Sequence, residues 1–154
     1  QEIQALADDR YPQTKLLRQV KGIGPITSLA FVLTLGEAQR FGKSRTVGAF
    51  LGLVPGRKQS GHSDPERRIT KQGDSGLRRL LVNAAHYILG PFGPDCDLRR
   101  FGQKVSSRGG KLGKKKAIVA VARKLAVLLH HLWRTGEVYE PFYRSTRKTR
   151  VTAA

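Results

Sequence analysis

One long apolar stripe constrains the fold of this chain more than any other feature. Between Lys115 and about Thr135, apolar side chains recur every three or four residues, which is the spacing of one face of an α-helix. The stripe consists of Ala117, Ile118, Val121, Leu125, Leu128, Leu129 and Leu132. Gly136, directly after it, is a typical helix terminator. A helix with one apolar face needs other elements to cover that face, so we expect it to organise a core.

Shorter helical patterns fill most of the remaining chain, and we predict a mainly α fold. Tyr11-Pro12 and the glycines supply the breaks. Ser44 is an expected N-cap, and so is either Asp74 or Ser75, with Asp74 the simpler choice. Residues 1–10 are interpreted as the end of a linker or coiled-coil helix, 14–136 as one domain, and 137–154 as a basic flexible tail. The predicted helices are 1–10, 14–20, 25–35, 45–51, 77–89, 95–105 and 115–135.

Two segments lack a helical pattern. Residues 56–72 contain Gly, Ser, Asp and Pro, and we predict a short β-hairpin or flexible loop with Arg57–Gln59 opposite Arg68–Thr70. Residues 106–114 are rich in Gly and Lys and are predicted to form a pliable loop.

The charge is strongly positive and concentrated in the middle of the chain. Lys and Arg number 29 against 11 Asp and Glu, a net charge of +18. Residues 57–124 contain 17 of the basic and five of the acidic residues. Such an excess favours a nucleic-acid partner over a mere solvated surface. No segment approaches the roughly 20 apolar residues of a membrane span, and the single cysteine, Cys96, excludes an internal disulfide and a cysteine-cluster zinc site.

A glycine pair lies between the first two predicted domain helices. Gly22-Ile23-Gly24 follows Val20 and precedes Pro25, which matches a helix-hairpin-helix at about 14–35. Glycines let backbone N–H groups approach phosphate, the next helix presents its positive end, and Lys21 adds a charge. The alternative interpretation is a corner where two helices pack.

Ser60 lies between glycine-flexible backbone and several cations. Arg57 and Lys58 precede it, and Arg67 and Arg68 follow. A serine nucleophile in phosphoryl transfer needs such cations to stabilise the charge on the phosphate oxygens. The residues alone favour phosphate binding without catalysis, or an ordinary solvent loop, over a catalytic nucleophile.

Two further basic segments are candidate phosphate-binding sites. Lys71, Arg78 and Arg79 surround the start of the helix at 77–89. Lys114, Lys115 and Lys116 start the helix at 115–135, where contacts would make affinity fall steeply with salt. Asn83 and His86, one turn apart, are interpreted as satisfied polar groups, and no residue set suggests a metal site in this chain.

Three motifs in this order resemble a known family. They are V-x-G-I-G-x-x-T-S, R-T-V-G-A-F-L-G-L-V-P-G-R-K-Q-S-G and I-T-K-Q-G-D-S-G-L-R-R-L-L-V-N-A-A. Together they resemble the carboxy-terminal serine domain of the DEDD-type transposases of the insertion-sequence 110/1111 group, the bridge-RNA-guided recombinases. The similarity spans Leu16 to Thr135.

The resemblance implies a role for Ser60 and for parts outside this chain. Ser60 would be the nucleophile that forms a transient phosphoserine link with DNA. An amino-terminal RuvC-like domain, absent here, would bind Mg²⁺ through four acidic residues, so this chain would hold no cofactor itself. The expected partners are DNA, a guide RNA and further copies of the protein in a dimer or tetramer. The expected location is the cytoplasm of a bacterium or archaeon, in association with the nucleoid. The isolated fragment is then expected to bind nucleic acid without recombining it.

Two other functions fit the composition. One is a helix-hairpin-helix module that only binds nucleic acid, for which Ser60 would be dispensable. The other is an RNA scaffold similar to a ribosomal protein.

Overall fold

A computed structural model describes residues 1–56, 68–144 and 146–147, and helices dominate these ranges. The prediction of a mainly α fold is confirmed. The α-helices are α1 (Glu2–Arg10), α2 (Thr14–Leu17), α3 (Pro25–Leu35), α4 (Arg45–Phe50), α5 (Ser75–Leu89), α6 (Asp97–Arg108) and α7 (Gly113–Thr135). Short 3₁₀ turns span Ala38–Arg40 and Gly110–Leu112. No helix in the described ranges is long and apolar enough to cross a membrane.

The long helix α7 lies at the centre and contacts α2, α4, α5 and α6. The apolar stripe that the sequence shows is the buried face of this helix. Val121, Leu125 and Leu129 are 0% exposed. Each buried leucine contributes roughly 1.5–3 kcal/mol through the apolar surface removed from water. The core prediction for this helix is therefore confirmed.

Several helix ends lie where the local sequence places them. α1 ends at Arg10, before the Tyr11-Pro12 break. Asp74 caps α5, because its carboxylate accepts a hydrogen bond of 2.6 Å from the backbone N–H of Leu77. α7 ends at Gly136, whose φ of 71° is a left-handed conformation suited to glycine.

Ser44 is the N-cap residue of α4, as predicted, but its hydroxyl does not cap the helix. Its side chain makes no capping hydrogen bond. Instead, its Oγ lies 2.7 Å from Nδ1 of His130, whose Nε2 lies 2.8 Å from the carbonyl oxygen of Ala38. The His130 ring is 0% exposed, and a buried polar ring needs a partner at each nitrogen. The serine is thus used to satisfy the core histidine.

The predicted pliable loop at 106–114 is a tight corner between α6 and α7. α6 continues through Arg108, and a 3₁₀ turn leads directly into α7. A Cβ added at Gly113 would lie 2.2 Å from the carbonyl oxygen of Ser106, and one at Gly109 would lie 2.5 Å from the Cα of Gly113. The glycines therefore permit close backbone packing here instead of flexibility.

Residues 137–144, which we call the strap, are hydrogen-bonded to the body of the protein. The backbone N–H of Tyr139 donates to Oε1 of Gln19 over 2.9 Å. The N–H of Asp97 donates to the carbonyl of Pro141, and the Asp97 carboxylate accepts from the N–H of Arg144, each over 2.8 Å. The beginning of the segment predicted to be a flexible tail is thus attached to Gln19, two residues after α2, and to α6.

Candidate nucleic-acid interface

The first candidate site is the glycine turn, residues Val20–Gly24, between α2 and α3. Val20 and Ile23 are buried, at 2% and 5% exposure, and the N–H of Ile23 donates to the carbonyl of Val20 over 3.1 Å. Gly22 has a φ of 98°, which L side chains rarely adopt. Two buried residues thus fix the turn in the core, and Lys21 and Gly22 between them are exposed.

The start of α3 gives the glycine turn a surface for an anion. Gly24 is the N-cap in an extended conformation, and Pro25 occupies the first turn. A Cβ built on Gly24 would have no atom within 4 Å, so the space beside it is open. The first N–H groups of a helix lack intrahelical acceptors and form its positive end. With the exposed Lys21 nearby, this arrangement can hold a phosphate.

The second candidate site is carried by two facing segments, Gly52–Gly56 and Arg68–Gly73, which we call the neck. Gly56 N–H donates to the Arg68 carbonyl over 3.0 Å, and Thr70 N–H donates to the Val54 carbonyl over 2.9 Å. The segment 57–67 connects the two sides of the neck, and Ser60, Arg57, Lys58 and Arg67 all lie outside the described residues.

The register of the neck differs from the predicted hairpin. Arg68–Thr70 lies opposite Val54–Gly56, with an antiparallel bridge between Pro55 and Ile69, whereas Arg57–Gln59 was expected there. Those three residues lie outside the described ranges. The pairing register could not be predicted from the sequence of this segment, because its Gly and Pro residues permit several strand pairings.

Close backbone packing holds the base of the neck. Gly52 has a φ of 70°, and a Cβ there would lie 2.3 Å from the Gln72 carbonyl oxygen. A Cβ on Gly73, with a φ of 80°, would lie 2.3 Å from the Phe50 carbonyl oxygen. Lys71 between them has a φ of 55°, which is uncommon for a residue with a side chain. The base of the neck is therefore fixed by backbone contact between its two segments and against the last residue of α4.

Arg78 and Arg79, both predicted to bind phosphate, have different environments. Nη1 of Arg78 donates to the carbonyl of Gln72 over 3.0 Å and to that of Leu51 over 3.3 Å. This side chain joins the first turns of α5 to the neck and to the end of α4. Arg79 is exposed, as are Arg68 and Lys71 in the neck. The structure thus brings three exposed cations and one structural arginine to this end of α5.

The third candidate site is the start of α7. Lys114, Lys115 and Lys116 are exposed in its first turn, which contains no acidic residue and no side-chain cap. Cations at the positive end of a helix are unfavourable, so a bound anion would stabilise them. This turn packs on α6 at Ser106, whereas the neck packs on α4 and α5. The predicted phosphate-binding residues therefore lie in three places.

Positive charges also crowd together beside the strap. Burial lowers the pKa of Lys124, and the nearby charges of Arg144 and Arg123 lower it further. The Lys124 ammonium lies 3.8 Å from the centre of the Phe101 ring, a favourable contact for a cation. Among the described residues, no three His, Cys, Asp or Glu side chains form a group that could hold a metal ion.

Sequence reasoning missed two features of these sites. The anchoring role of Arg78 has no sequence signal, because both acceptors are backbone carbonyls of residues elsewhere in the chain. Asn83 and His86, interpreted as satisfied polar groups, are exposed on α5. They lie four and seven residues after Arg79, which is the spacing of one helix face. This spacing could have shown that all three share the exposed face of α5.

Comparison with known proteins shows that the chain is similar to part of several transposases. Residues 14–95 match the family model described as "Transposase IS116/IS110/IS902 family". A putative transposase of Sinorhizobium fredii is 35% identical over 134 residues, covering 87% of this chain and 34% of the relative. The range matched by the family model, 14–95, contains both the glycine turn and the neck.

Two further relatives are similar. The transposase for insertion sequence element IS1111A of Coxiella burnetii is 30% identical over 123 residues, covering 80% of this chain and 33% of the relative. A probable family 20 transposase of Pseudomonas aeruginosa is 34% identical over 128 residues, with 81% and 36% covered. The chain spans about a third of the length of these relatives.

Proposed function

Because this chain belongs to the Transposase IS116/IS110/IS902 family, we propose that it is the DNA-binding, serine-bearing part of a transposase. The observation that carries the proposal is the neck. It fixes both ends of the segment that contains Ser60 by backbone contact, and it places Arg68, Lys71 and Arg79 at the same end of α5. A reactive group on a short segment with fixed ends and cationic surroundings suits attack on a phosphodiester.

The proposed reaction is a transesterification at phosphorus. The Ser60 hydroxyl gives its proton to a base, and its oxygen forms a bond to the scissile phosphorus. The bond from phosphorus to one nucleotide oxygen breaks, and that oxygen leaves as a protonated hydroxyl. The phosphoserine link keeps the phosphoester, so a hydroxyl of another strand end can attack it and release Ser60. Arg57, Lys58, Arg67 and Arg68 stabilise the charge on the phosphate oxygens during both steps.

The glycine turn has a separate role in the proposal, which is to hold the DNA backbone as a helix-hairpin-helix. The buried Ile23, the left-handed Gly22 and the open space beside Gly24 support this role. Contacts of this kind bind phosphates without reading bases. Lys114, Lys115 and Lys116 add a further phosphate contact at the start of α7.

We also propose what the remaining two thirds of the full-length protein supply. A RuvC-like domain ahead of this chain, joined through a coiled coil that continues α1, carries four acidic residues. These residues bind Mg²⁺, which assists strand cleavage there. A guide RNA selects the site, and a dimer or tetramer brings serine and acidic site together in the cytoplasm. This chain alone binds nucleic acid without recombining it.

Covalent trapping in the full-length transposase tests the serine assignment. Wild-type protein is expected to form a DNA adduct that survives denaturing electrophoresis, and Ser60→Ala is expected to form none. Ser63→Ala, three residues away in the same segment, is the matched control and should keep the adduct. If Ser60→Ala still forms the adduct or recombinant product, the catalytic proposal is wrong and only nucleic-acid binding is left.

A further inference from the structure

One face of α5 connects two of the candidate sites. α5 begins at the neck, where Arg78 holds Gln72, and its last turns lie against the glycine turn. A Cβ added to Gly22 would lie 2.9 Å from Cδ1 of Tyr87, so the tyrosine ring directly underlies that turn. A single helix therefore joins the neck to the proposed DNA-backbone site.

The outer side of α5 is polar and free of negative charge. Arg79, Asn83, His86 and Tyr87 are exposed and follow one another at helical spacing. The opposite side of α5 is buried in the core through Leu77, Leu81, Ala85 and Ile88. No Asp or Glu occurs within the helix Ser75–Leu89. We call the four exposed residues the α5 track.

Asn83 and His86 have no hydrogen-bond partner among the described residues. Side chains that serve the fold in this protein are bonded, as His130 is to Ser44 and Ala38. An amide and an imidazole exposed side by side can each donate a hydrogen bond outward. Phosphate and sugar oxygens commonly accept such bonds from Asn and Tyr side chains.

We propose that the α5 track binds the DNA backbone between the glycine turn and the neck, so that one DNA segment contacts both sites. This inference rests on the proposed function. Arg79 and Tyr87 are eight residues apart, which is about 12 Å along a helix. Measured along the duplex axis, one strand of B-form DNA carries roughly three to four phosphates over that length. Asn83 and His86 donate to the middle phosphates, and Arg79 neutralises the one nearest the neck.

An isosteric charge change tests the track. Asn83→Asp replaces an amide by a carboxylate of the same shape and places a negative charge among the bound phosphates. Gln4→Glu makes the same change on α1, an exposed helix that packs on α2 and α3. Both variants lower the net charge equally, so any general electrostatic effect is matched.

The measurement is the affinity of the chain for a labelled 30-base-pair DNA duplex, by fluorescence anisotropy at fixed salt. Asn83→Asp is expected to weaken binding about tenfold or more, since a bond to a charged phosphate is replaced by repulsion. Gln4→Glu is expected to change affinity less than about twofold, because an exposed charge distant from the contact is screened. His86→Ala, which adds no charge, should weaken binding by about threefold to tenfold through one lost bond.

Each outcome decides for or against the track. Equal losses in Asn83→Asp and Gln4→Glu, or a loss confined to a single-stranded RNA of the same length, would overturn it. Thermal melts followed by circular dichroism establish that the variants are folded, and His86→Ala gives a second, uncharged test. If Ser60→Ala still recombines DNA while Asn83→Asp loses affinity, the proposed catalysis fails and the track stands. If Asn83→Asp binds normally while Ser60→Ala is inactive, the track proposal is wrong and the proposed catalysis stands.

Discussion

The neck and the glycine turn both depend on glycines with positive φ, but different atoms hold them in place. At the neck, Gly52 and Gly73 lie against backbone atoms of Gln72 and Phe50, and Phe50 is the last residue of α4. At the turn, Gly22 lies against the ring of Tyr87, a side chain that is 42% exposed. Its fixed points are the buried side chains of Val20 and Ile23.

The difference shows how one small domain can position a proposed reaction site more rigidly than a proposed binding site. Backbone-to-backbone contact fixes the neck, and attack on phosphorus requires that kind of accuracy. The turn is fixed in the core on one side only. Its outer surface can adapt to the phosphate that it meets. Each of the following predictions tests one part of this difference.

The largest expected effect is at the base of the neck. Gly52→Ala should lower the free energy of unfolding by about 3 kcal/mol or more, because the methyl group meets backbone and the φ is unfavourable. Gly136→Ala is the matched control, since Gly136 has a φ of 71° against 70° at Gly52 but no atom within 4 Å of the added Cβ. It should cost only about 1–2 kcal/mol. Equal losses in urea denaturation would show that backbone contact does not distinguish the neck.

The two adjacent arginines of α5 should separate stability from binding. Arg78→Ala removes the hydrogen bonds to Gln72 and Leu51 and should lower the free energy of unfolding by about 1–3 kcal/mol. Arg79→Ala should change it by less than about 0.5 kcal/mol, because Arg79 is exposed. For DNA affinity we expect Arg79→Ala to have the larger effect. Denaturation and anisotropy on both variants test this reversal, and a common order in both measurements would contradict it.

At the glycine turn, the Tyr87 ring should increase the loss of stability that a methyl group on Gly22 causes. Gly22→Ala should lower the free energy of unfolding by about 1–2 kcal/mol through its φ, with an added contribution from displacing Tyr87. In a Tyr87→Ala background that added contribution disappears, which gives a coupling of about 0.5–1 kcal/mol in a double-mutant cycle. Additive losses would mean that the ring does not restrict the turn.

The smallest effect concerns the strap beside the turn. Burial raises the pKa of Tyr139 to about 12, so the folded protein retains this proton more strongly than the unfolded chain does. The resulting stability is present below the ordinary tyrosine pKa of 10 and is lost as the pH rises through 12. Between pH values of about 9 and 11, Tyr139→Phe should lose less stability in denaturation than the wild type. Parallel losses would contradict this role for Tyr139.

The helices were predictable from sequence because their signals are local. The stripe of α7, the Asp74 cap and the Tyr11-Pro12 break each depend on neighbouring residues, and all three are confirmed. Ser44 is the N-cap residue as predicted, but its hydroxyl has another role, because His130, 86 residues away, binds it. The glycines at 109 and 113 were misread for a related reason, since composition does not distinguish a close approach from flexibility.

The candidate site was predictable in its parts but not in its arrangement. Lys21, Arg68, Lys71 and Arg79 are exposed as phosphate binding requires, yet charge alone does not say which of them are neighbours. The alignment of the turn and the neck on α5 depends on packing between distant segments. Arg78 shows the same limit, because a cation in a basic sequence looks like a ligand contact even where it binds carbonyls. The role of Ser60 stays a prediction.

The strap also sets an order of events during synthesis. Gln19 and Tyr139 are separated by 120 positions, and Nε2 of Gln19 also donates to the Glu137 carbonyl over 3.3 Å. The ribosome therefore releases Gln19, two residues after α2, long before the residues that bind its side-chain amide are made. Contacts between such distant positions form late, after the local helices. The segment between α2 and α3 is thus made before most of this domain, yet it is among the last parts of the domain to be completed.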